Sequence, residues 1–128
     1  MIYLDTSVAL AHLLAEDRRP PAELWSAELV SSRLLEYELW TRLHARQLAA
    51  SHGDLARLLT ARLAWLELRP PVLDRALGPF PVPVRTLDAL HLASIAFLRE
   101  RGKPVRLATY DARMANAATA MGIELGGV

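Results

Sequence analysis

Short apolar runs that alternate with helix-prone segments constrain the fold of this chain most strongly. Ile2-Tyr3-Leu4 is a short β-prone run that ends at Asp5-Thr6-Ser7, and Val8 to Leu14 then continues as an apolar, helix-compatible segment. The pattern returns near the end of the chain, where a predicted strand at 105–109 precedes a helix at 111–121. Such alternation is typical of a parallel sheet covered by helices on both faces. We therefore predict an α/β fold with three layers, α/β/α, around a parallel sheet of about four or five short strands.

The remaining segments follow the same alternation. We predict helices at 22–27, 33–47, 53–65, 72–77 and 86–101, and strands at 66–68 and 123–125. Three prolines fall between Pro79 and Pro83, which excludes a helix or a central strand there and predicts a loop. The chain has 128 residues, no internal repeat and no linker, so we expect one domain over 1–128.

Composition excludes several classes of site. There is no cysteine, so disulfides, thiolate zinc sites and cysteine nucleophiles are excluded, and a metal would need oxygen or imidazole ligands. The apolar runs are far shorter than the ~20 residues of a membrane span. No basic segment precedes Asp5, which argues against a signal peptide. We expect a cytoplasmic protein without a membrane segment.

Charge gives only weak guidance about ligands. The net charge is +1, and Lys103 is the only lysine among the 15 basic residues. Arginine binds phosphate bidentately, but a GC-rich genome explains the same bias more simply. The arginines that remain candidates for phosphate contacts are Arg18, Arg19, Arg42, Arg46, Arg85 and Arg113.

Three aspartates occupy positions where α/β proteins place their sites. Asp5 and Asp111 each follow a predicted strand, and the carboxyl ends of parallel strands meet at one edge of the sheet. Each could instead be an ordinary helix cap. Asp88 heads an apolar helical stripe with Leu92 and Ile95. A carboxylate at such a position costs several kcal/mol unless it is paired, protonated or bound to a cation.

The helix at 33–47 offers two further candidates, Glu36 and Glu38. On a helical wheel each has apolar neighbours, so periodicity does not choose between them. His91 lies on the helix of Asp88 and is interpreted as a histidine at the edge of the core. Oxygen ligands without cysteine or a histidine pair suit Mg²⁺ or Mn²⁺ better than zinc. Crowding of such carboxylates would raise the pKa of at least one of them.

With these residues in place, the chain resembles the PIN-domain ribonucleases, and most closely the VapC-type toxins of bacterial and archaeal toxin–antitoxin modules. The resemblance runs from end to end, and the segment around Asp88 is its most specific part. Four segments carry it: Tyr3-Leu4-Asp5-Thr6-Ser7, Ser32-Arg33-Leu34-Leu35-Glu36-Tyr37-Glu38-Leu39, Arg85-Thr86-Leu87-Asp88-Ala89-Leu90-His91-Leu92-Ala93 and Ala108-Thr109-Tyr110-Asp111.

The resemblance implies a single PIN domain that hydrolyses RNA phosphodiester bonds with Mg²⁺, for which Mn²⁺ can substitute. It favours Glu38 over Glu36, because the family's glutamate follows a strand-end serine, here Ser32, by six positions. After the glutamate the family usually has an arginine and an alanine, whereas this chain has the bulky Trp40 and an arginine shifted to position 42. The resemblance therefore assigns no contact to Arg42. The implied catalytic residues and metal ligands are Asp5, Glu38, Asp88 and Asp111. Thr6 and Thr109 are expected to hold these ligands by hydrogen bonds.

The resemblance also implies partners: an RNA substrate, a second copy of the chain in a homodimer, and a cognate antitoxin whose C-terminal segment blocks the acidic groove. Two other functions compete with this one. A PIN-like module could bind RNA or protein without catalysis, although all four carboxylates are present. A phosphatase could use Asp5 as its nucleophile, but Ser7 stands where the common class of such enzymes has a second aspartate.

Overall fold

A computed structural model describes all 128 residues, and its centre is a four-stranded parallel sheet in the order β3-β2-β1-β4. The strands are β1 (Ile2–Leu4), β2 (Leu29–Ser32), β3 (Ala64–Leu66) and β4 (Arg106–Ala108). The helices are α1 (Thr6–Leu13), α2 (Leu34–Ala45), α3 (Ala49–Thr60), α4 (Pro70–Ala76), α5 (Thr86–Glu100) and α6 (Ala112–Ala120), with a 3-10 helix at Ala22–Ser26. The predicted α/β class and parallel sheet are confirmed.

The two faces of the sheet bury separate cores, as alternating side chains of a strand require. Ile2 and Leu4 of β1 belong to the core that α1, α2 and α3 cover. Tyr3, between them, points into the opposite core, which α5 and α6 cover. β1 is therefore buried on both sides, which explains its continuous apolar sequence. No helix combines the length and the apolar composition needed to cross a membrane.

The boundaries of α3, β3 and α4 differ from the predictions. α3 begins at Ala49 rather than at Gly53, and it ends at Thr60, so that Trp65 lies in β3. Gly53 is an interior helical residue because Trp40 packs against it, and an added Cβ would lie 3.2 Å from the indole. Pro70 begins α4 rather than ending the preceding strand, which suits proline at a first helical position.

The predicted last strand at 123–125 was also wrong. Only Leu125 forms a bridge, to Leu107 of β4. The residues that flank Leu125 make the two hydrogen bonds of that bridge, because Leu107 donates to the carbonyl of Glu124 (2.8 Å) and Gly126 donates to the carbonyl of Leu107 (3.0 Å). The sheet therefore has four strands, within the predicted range.

Candidate active site

The carboxyl edge of the sheet carries two of the predicted aspartates, each at the start of a helix. Asp5 follows β1 and is the N-cap residue of α1, and its backbone N–H donates to the carbonyl of Ala108 in β4 (3.0 Å). Asp111 follows β4 and is the N-cap residue of α6. Because β1 and β4 are parallel neighbours, both carboxylates leave the sheet on the same side.

Asp111 caps α6, which is the ordinary role that the sequence left open for it. Its Oδ1 accepts hydrogen bonds from the backbone N–H groups of Arg113 (2.9 Å) and Met114 (3.4 Å). Its Oδ2 makes no hydrogen bond within the protein. Capping and ligand binding therefore use different oxygen atoms of this carboxylate, and one role does not exclude the other.

Two hydroxyl groups hold the Asp5 carboxylate, which does not cap its own helix. Its Oδ2 accepts hydrogen bonds from Ser7 Oγ (2.6 Å) and Thr109 Oγ1 (2.7 Å). The Thr109 oxygen in turn accepts from the backbone N–H of Asp111 (3.0 Å), and Ser7 Oγ accepts from that of Tyr110 (3.0 Å). Thr109 therefore links the two aspartates of the edge, and the Oδ1 atom of Asp5 stays free.

Glu38 reaches the same edge from α2 and is held by two donors on one oxygen. Its Oε1 accepts from Thr6 Oγ1 (2.8 Å) and is 2.6 Å from Nε2 of His91. A carboxylate only accepts, so Nε2 is the donor in that second bond. Glu36 instead faces the surface, where it pairs with Arg33 at 3.2 Å. The structure brings Glu38, and not Glu36, to the acidic edge.

Behind Glu38, a buried polar chain runs into the sheet. His91 is 1 % exposed, and its Nδ1 forms a hydrogen bond with the Tyr3 hydroxyl (2.7 Å), which also accepts from the backbone N–H of Ser32 (3.1 Å). Burial raises the pKa of the Tyr3 phenol, so its hydroxyl stays neutral. These hydrogen bonds, from Glu38 through His91 and Tyr3 to Ser32, connect the orientation of Glu38 to β1 and β2.

Asp88 is the third residue of α5, and the charges of the other carboxylates influence its pKa. Burial has the largest effect in raising the pKa of Asp88 above its ordinary value. The negative charges of Asp111 and Asp5, and to a smaller extent that of Glu38, raise this pKa further, whereas His91 acts in the opposite direction. The sequence predicts that crowding raises the pKa of at least one carboxyl group; at Asp88 the pKa is raised, first by burial and then by the charges of Asp111 and Asp5.

The chemistry of these donors fits a hard divalent cation. The carboxylates of Asp5, Glu38 and Asp111 are accompanied by the hydroxyl groups of Thr6, Ser7 and Thr109, and oxygen donors of this kind suit Mg²⁺ or Mn²⁺. No three acidic or histidine side chains are close enough to hold one ion among themselves. Mg²⁺ commonly keeps several waters and takes only one or two protein carboxylates, so this spacing agrees with such an ion.

Sequence reasoning missed three contributors: Ser7, Tyr3 and the contact that His91 makes with Glu38. Ser7 follows Asp5 by two residues, a spacing at which a hydroxyl often bonds back to a carboxylate, and this signal was available. Tyr3 lies in a buried strand, where a hydroxyl requires a partner. The partner itself, 88 residues away, could not be identified without the fold.

A stability measurement can test the buried chain. Tyr3→Phe removes the only group that bonds the Nδ1 of His91 and the backbone N–H of Ser32, both of which are buried. We expect the free energy of unfolding to fall by about 1 to 3 kcal/mol, the cost of leaving buried polar groups unsatisfied. Urea denaturation measures this change. Tyr37→Phe is the matched control, since Tyr37 is 66 % exposed and its loss should change nothing measurable. Equal stability of both variants would contradict the prediction.

Comparison with known proteins gives concordant matches over nearly the whole chain. The PIN domain family model matches residues 2–120. Two proteins of Mycobacterium tuberculosis are similar in sequence, each aligned over 95 % of this chain and 93 % of their own. Ribonuclease VapC47 of strain CDC 1551 / Oshkosh is 30 % identical, and Ribonuclease VapC46 of strain ATCC 25618 / H37Rv is 36 % identical.

One solved structure has the same fold. The crystal structure of M. tuberculosis VapC20, described as a sarcin-ricin loop cleaving toxin, superposes with a TM-score of 0.65. The match covers 91 % of this chain and 95 % of that one at 22 % identity. At this level of identity the similarity supports the three-layer fold and not the choice of RNA.

Proposed function

Because this chain belongs to the PIN-domain family, we propose that it is a metal-dependent ribonuclease of the VapC type and the toxin of a toxin–antitoxin pair. The observation that carries the chemistry is the group of carboxylates at the carboxyl edge of the sheet, where burial and then the charges of Asp111 and Asp5 raise the pKa of Asp88. Such a cluster is costly unless a cation neutralises it. We propose that residues 1–128 form a single PIN domain.

Each carboxylate has a distinct part in the proposed reaction. Asp5, Asp88 and Asp111 would hold Mg²⁺, or Mn²⁺ as a substitute, directly or through bound water, with oxygens that make no hydrogen bond within the protein. When bound, the cation supplies positive charge beside the phosphate and lowers the pKa of a water molecule. Glu38, whose Oε1 is already bound by Thr6 and His91, has its other oxygen free to bind a cation or to orient the attacking water.

The hydroxyl groups position these ligands rather than react. Thr109 and Ser7 both donate to Oδ2 of Asp5, which leaves Oδ1 without a hydrogen bond within the protein. Thr6 performs the same task for Glu38. Such supporting hydrogen bonds typically contribute about 10- to 100-fold to metal affinity or activity.

The proposal extends to partners and location. The substrate is RNA, and a cognate antitoxin would block the acidic edge with its C-terminal segment. We also propose that the chain forms a homodimer and acts in the cytoplasm, as the resemblance to VapC-type toxins implies.

Dependence on a divalent cation tests the proposal. Purified protein incubated with total bacterial RNA and Mg²⁺ or Mn²⁺ should yield discrete cleavage products, whose ends are mapped by sequencing. EDTA should abolish cleavage, and excess Mg²⁺ should restore it, because four crowded carboxylates need a cation to accept a phosphate. A parallel preparation of Asp88→Asn excludes a contaminating ribonuclease. Cleavage that persists in EDTA, or intact RNA under all conditions, would favour a module that binds without catalysis.

A further inference from the structure

A groove beside the acidic edge joins the carboxylates to a row of arginines. The groove has a volume of about 750 Å³ and runs between α1, the segment 16–18 and α2. It shares Ser7 and Asp111 with the acidic edge. Arg18, Arg42 and Arg46 line it.

Along one side of α2 the side chains change from an acidic residue to basic residues over about two helical turns. Glu38 and Arg42 are spaced i and i+4 on one stripe of α2, and Arg46, four residues further on, is the C-cap residue that directly follows the helix. Each step of four residues advances about 6 Å along the axis. The row of three residues therefore begins with an acidic group at the cluster and continues with two cationic groups away from it.

These arginines form no ion pairs within the protein. The arginine ion pairs of the chain are those of Arg33 with Glu36 and Glu67, and of Arg57 with Asp54. Arg42 and Arg46 are exposed at the end of α2 and make no side-chain hydrogen bond. They are available to an external anion.

Arg18 approaches the groove from the opposite wall. Its guanidinium donates to the carbonyl of Tyr110 (3.4 Å) and lies 5.5 Å from the centre of that ring. Glu16 and Asp17 also line this wall, and neither lies within ion-pair distance of a groove arginine. Three arginines and three acidic residues, Glu16, Asp17 and Asp111, therefore line the groove, and α2 and its C-cap contribute only Arg42 and Arg46.

We propose that this groove binds the backbone of a single-stranded RNA segment adjacent to the scissile phosphate, with Arg42 and Arg46 each contacting one phosphate and Arg18 closing the opposite side. The inference rests on the proposed function, which places a phosphate at the acidic edge. If the scissile phosphate lies at the acidic edge, the phosphates next to it in the RNA strand must lie beside that edge. α2 and its C-cap supply guanidinium groups that bind phosphate bidentately at intervals similar to those between successive phosphates of an extended strand.

Binding without cleavage tests the groove separately from catalysis. The Asp88→Asn variant serves as the parent, which keeps the RNA intact, and a fluorescein-labelled oligouridylate is the probe. Fluorescence anisotropy is measured over a series of KCl concentrations. Arg42→Gln and Arg46→Gln should each weaken binding by about 5- to 10-fold at low salt. Each should also reduce the slope of log K against log salt by about 0.7, the value for one phosphate contact on a single strand.

Arg101→Gln is the matched control, because Arg101 lies at the far end of α5 from Asp88 and should leave both quantities unchanged. Equal binding by the parent and both groove variants would overturn the inference, as would a parent that does not bind the probe. Stronger binding of an RNA duplex would overturn the single-stranded assignment. Arginine-dependent binding together with wild-type protein that cleaves no RNA would support the groove and refute the proposed function.

Discussion

Asp88→Asn is expected to abolish RNA cleavage, lowering kcat by about 100-fold or more, while it makes the metal-free protein more stable. The activity is lost because the substitution removes one of the charges that hold the cation, and even groups that only support a metal ligand contribute about 10- to 100-fold. Asp5→Asn should lower kcat similarly. Asp54→Asn is the control, since the Asp54 side chain is 100 % exposed, and should cleave like the wild type.

The gain in stability follows from the direction of the pKa shift. The folded protein raises the pKa of Asp88 above its ordinary value of 3.8, so ionisation of Asp88 costs the folded state free energy. Stability of the metal-free protein should fall as the pH rises from that ordinary value through the raised one. Asparagine removes this cost, and Asp88 forms no side-chain hydrogen bond that would be lost.

Thermal unfolding in EDTA checks this part of the prediction. At neutral pH the melting temperature of Asp88→Asn should exceed that of the wild type. The difference should disappear at a pH below the ordinary carboxyl range, where Asp88 is protonated in both folded and unfolded states. Full cleavage by both Asp5→Asn and Asp88→Asn would refute the mechanism based on four carboxylates.

The second large effect is expected from a pair of neighbouring glutamates. Glu38→Gln should reduce cleavage by about 100-fold, because the charge is lost at the acidic edge. The glutamine carbonyl can still accept from Thr6 and His91, so the fold should be retained. Glu36→Gln should leave activity within about 2-fold, since its exposed pair with Arg33 contributes no more than about 1 kcal/mol even to stability.

Initial rates on one RNA, with circular dichroism to verify folding, compare the two variants. Because both substitutions lie two residues apart on one helix and make the same chemical change, general effects on α2 cancel in the comparison. The reverse result, loss of activity in Glu36→Gln alone, would mean that the glutamate identified by the resemblance is displaced by two positions.

Local sequence predicts two of the aspartates of this site because they follow strands. Asp5 and Asp111 required only that β1 and β4 be recognised and be parallel. Helical periodicity could not separate Glu36 from Glu38, since both have apolar neighbours. The difference between them lies in contacts with Thr6 and His91, which are 32 and 53 residues from Glu38 in sequence, and only the fold brings these residues together.

The errors in element boundaries have a similar cause. Gly53 reads as a helix start, yet packing of Trp40 against it makes it an interior residue of α3, so tertiary contact outweighed local propensity. Residues 123–125 have the composition of a strand, but only Leu125 forms a bridge to β4. Strand length depends on the neighbour as well as on the segment itself.

The four carboxylates differ in the hydrogen bonds that hold them within the protein. Asp5, Glu38 and Asp111 each have one oxygen fixed by two donors, whereas Asp88 has none. Ordering a free side chain on binding costs about 0.5 to 1.5 kcal/mol. That entropic penalty therefore falls on Asp88 alone, and the other three carboxylates are preorganised before any ligand arrives. Asp88 is therefore the one carboxylate of the four whose orientation a bound ligand would have to fix.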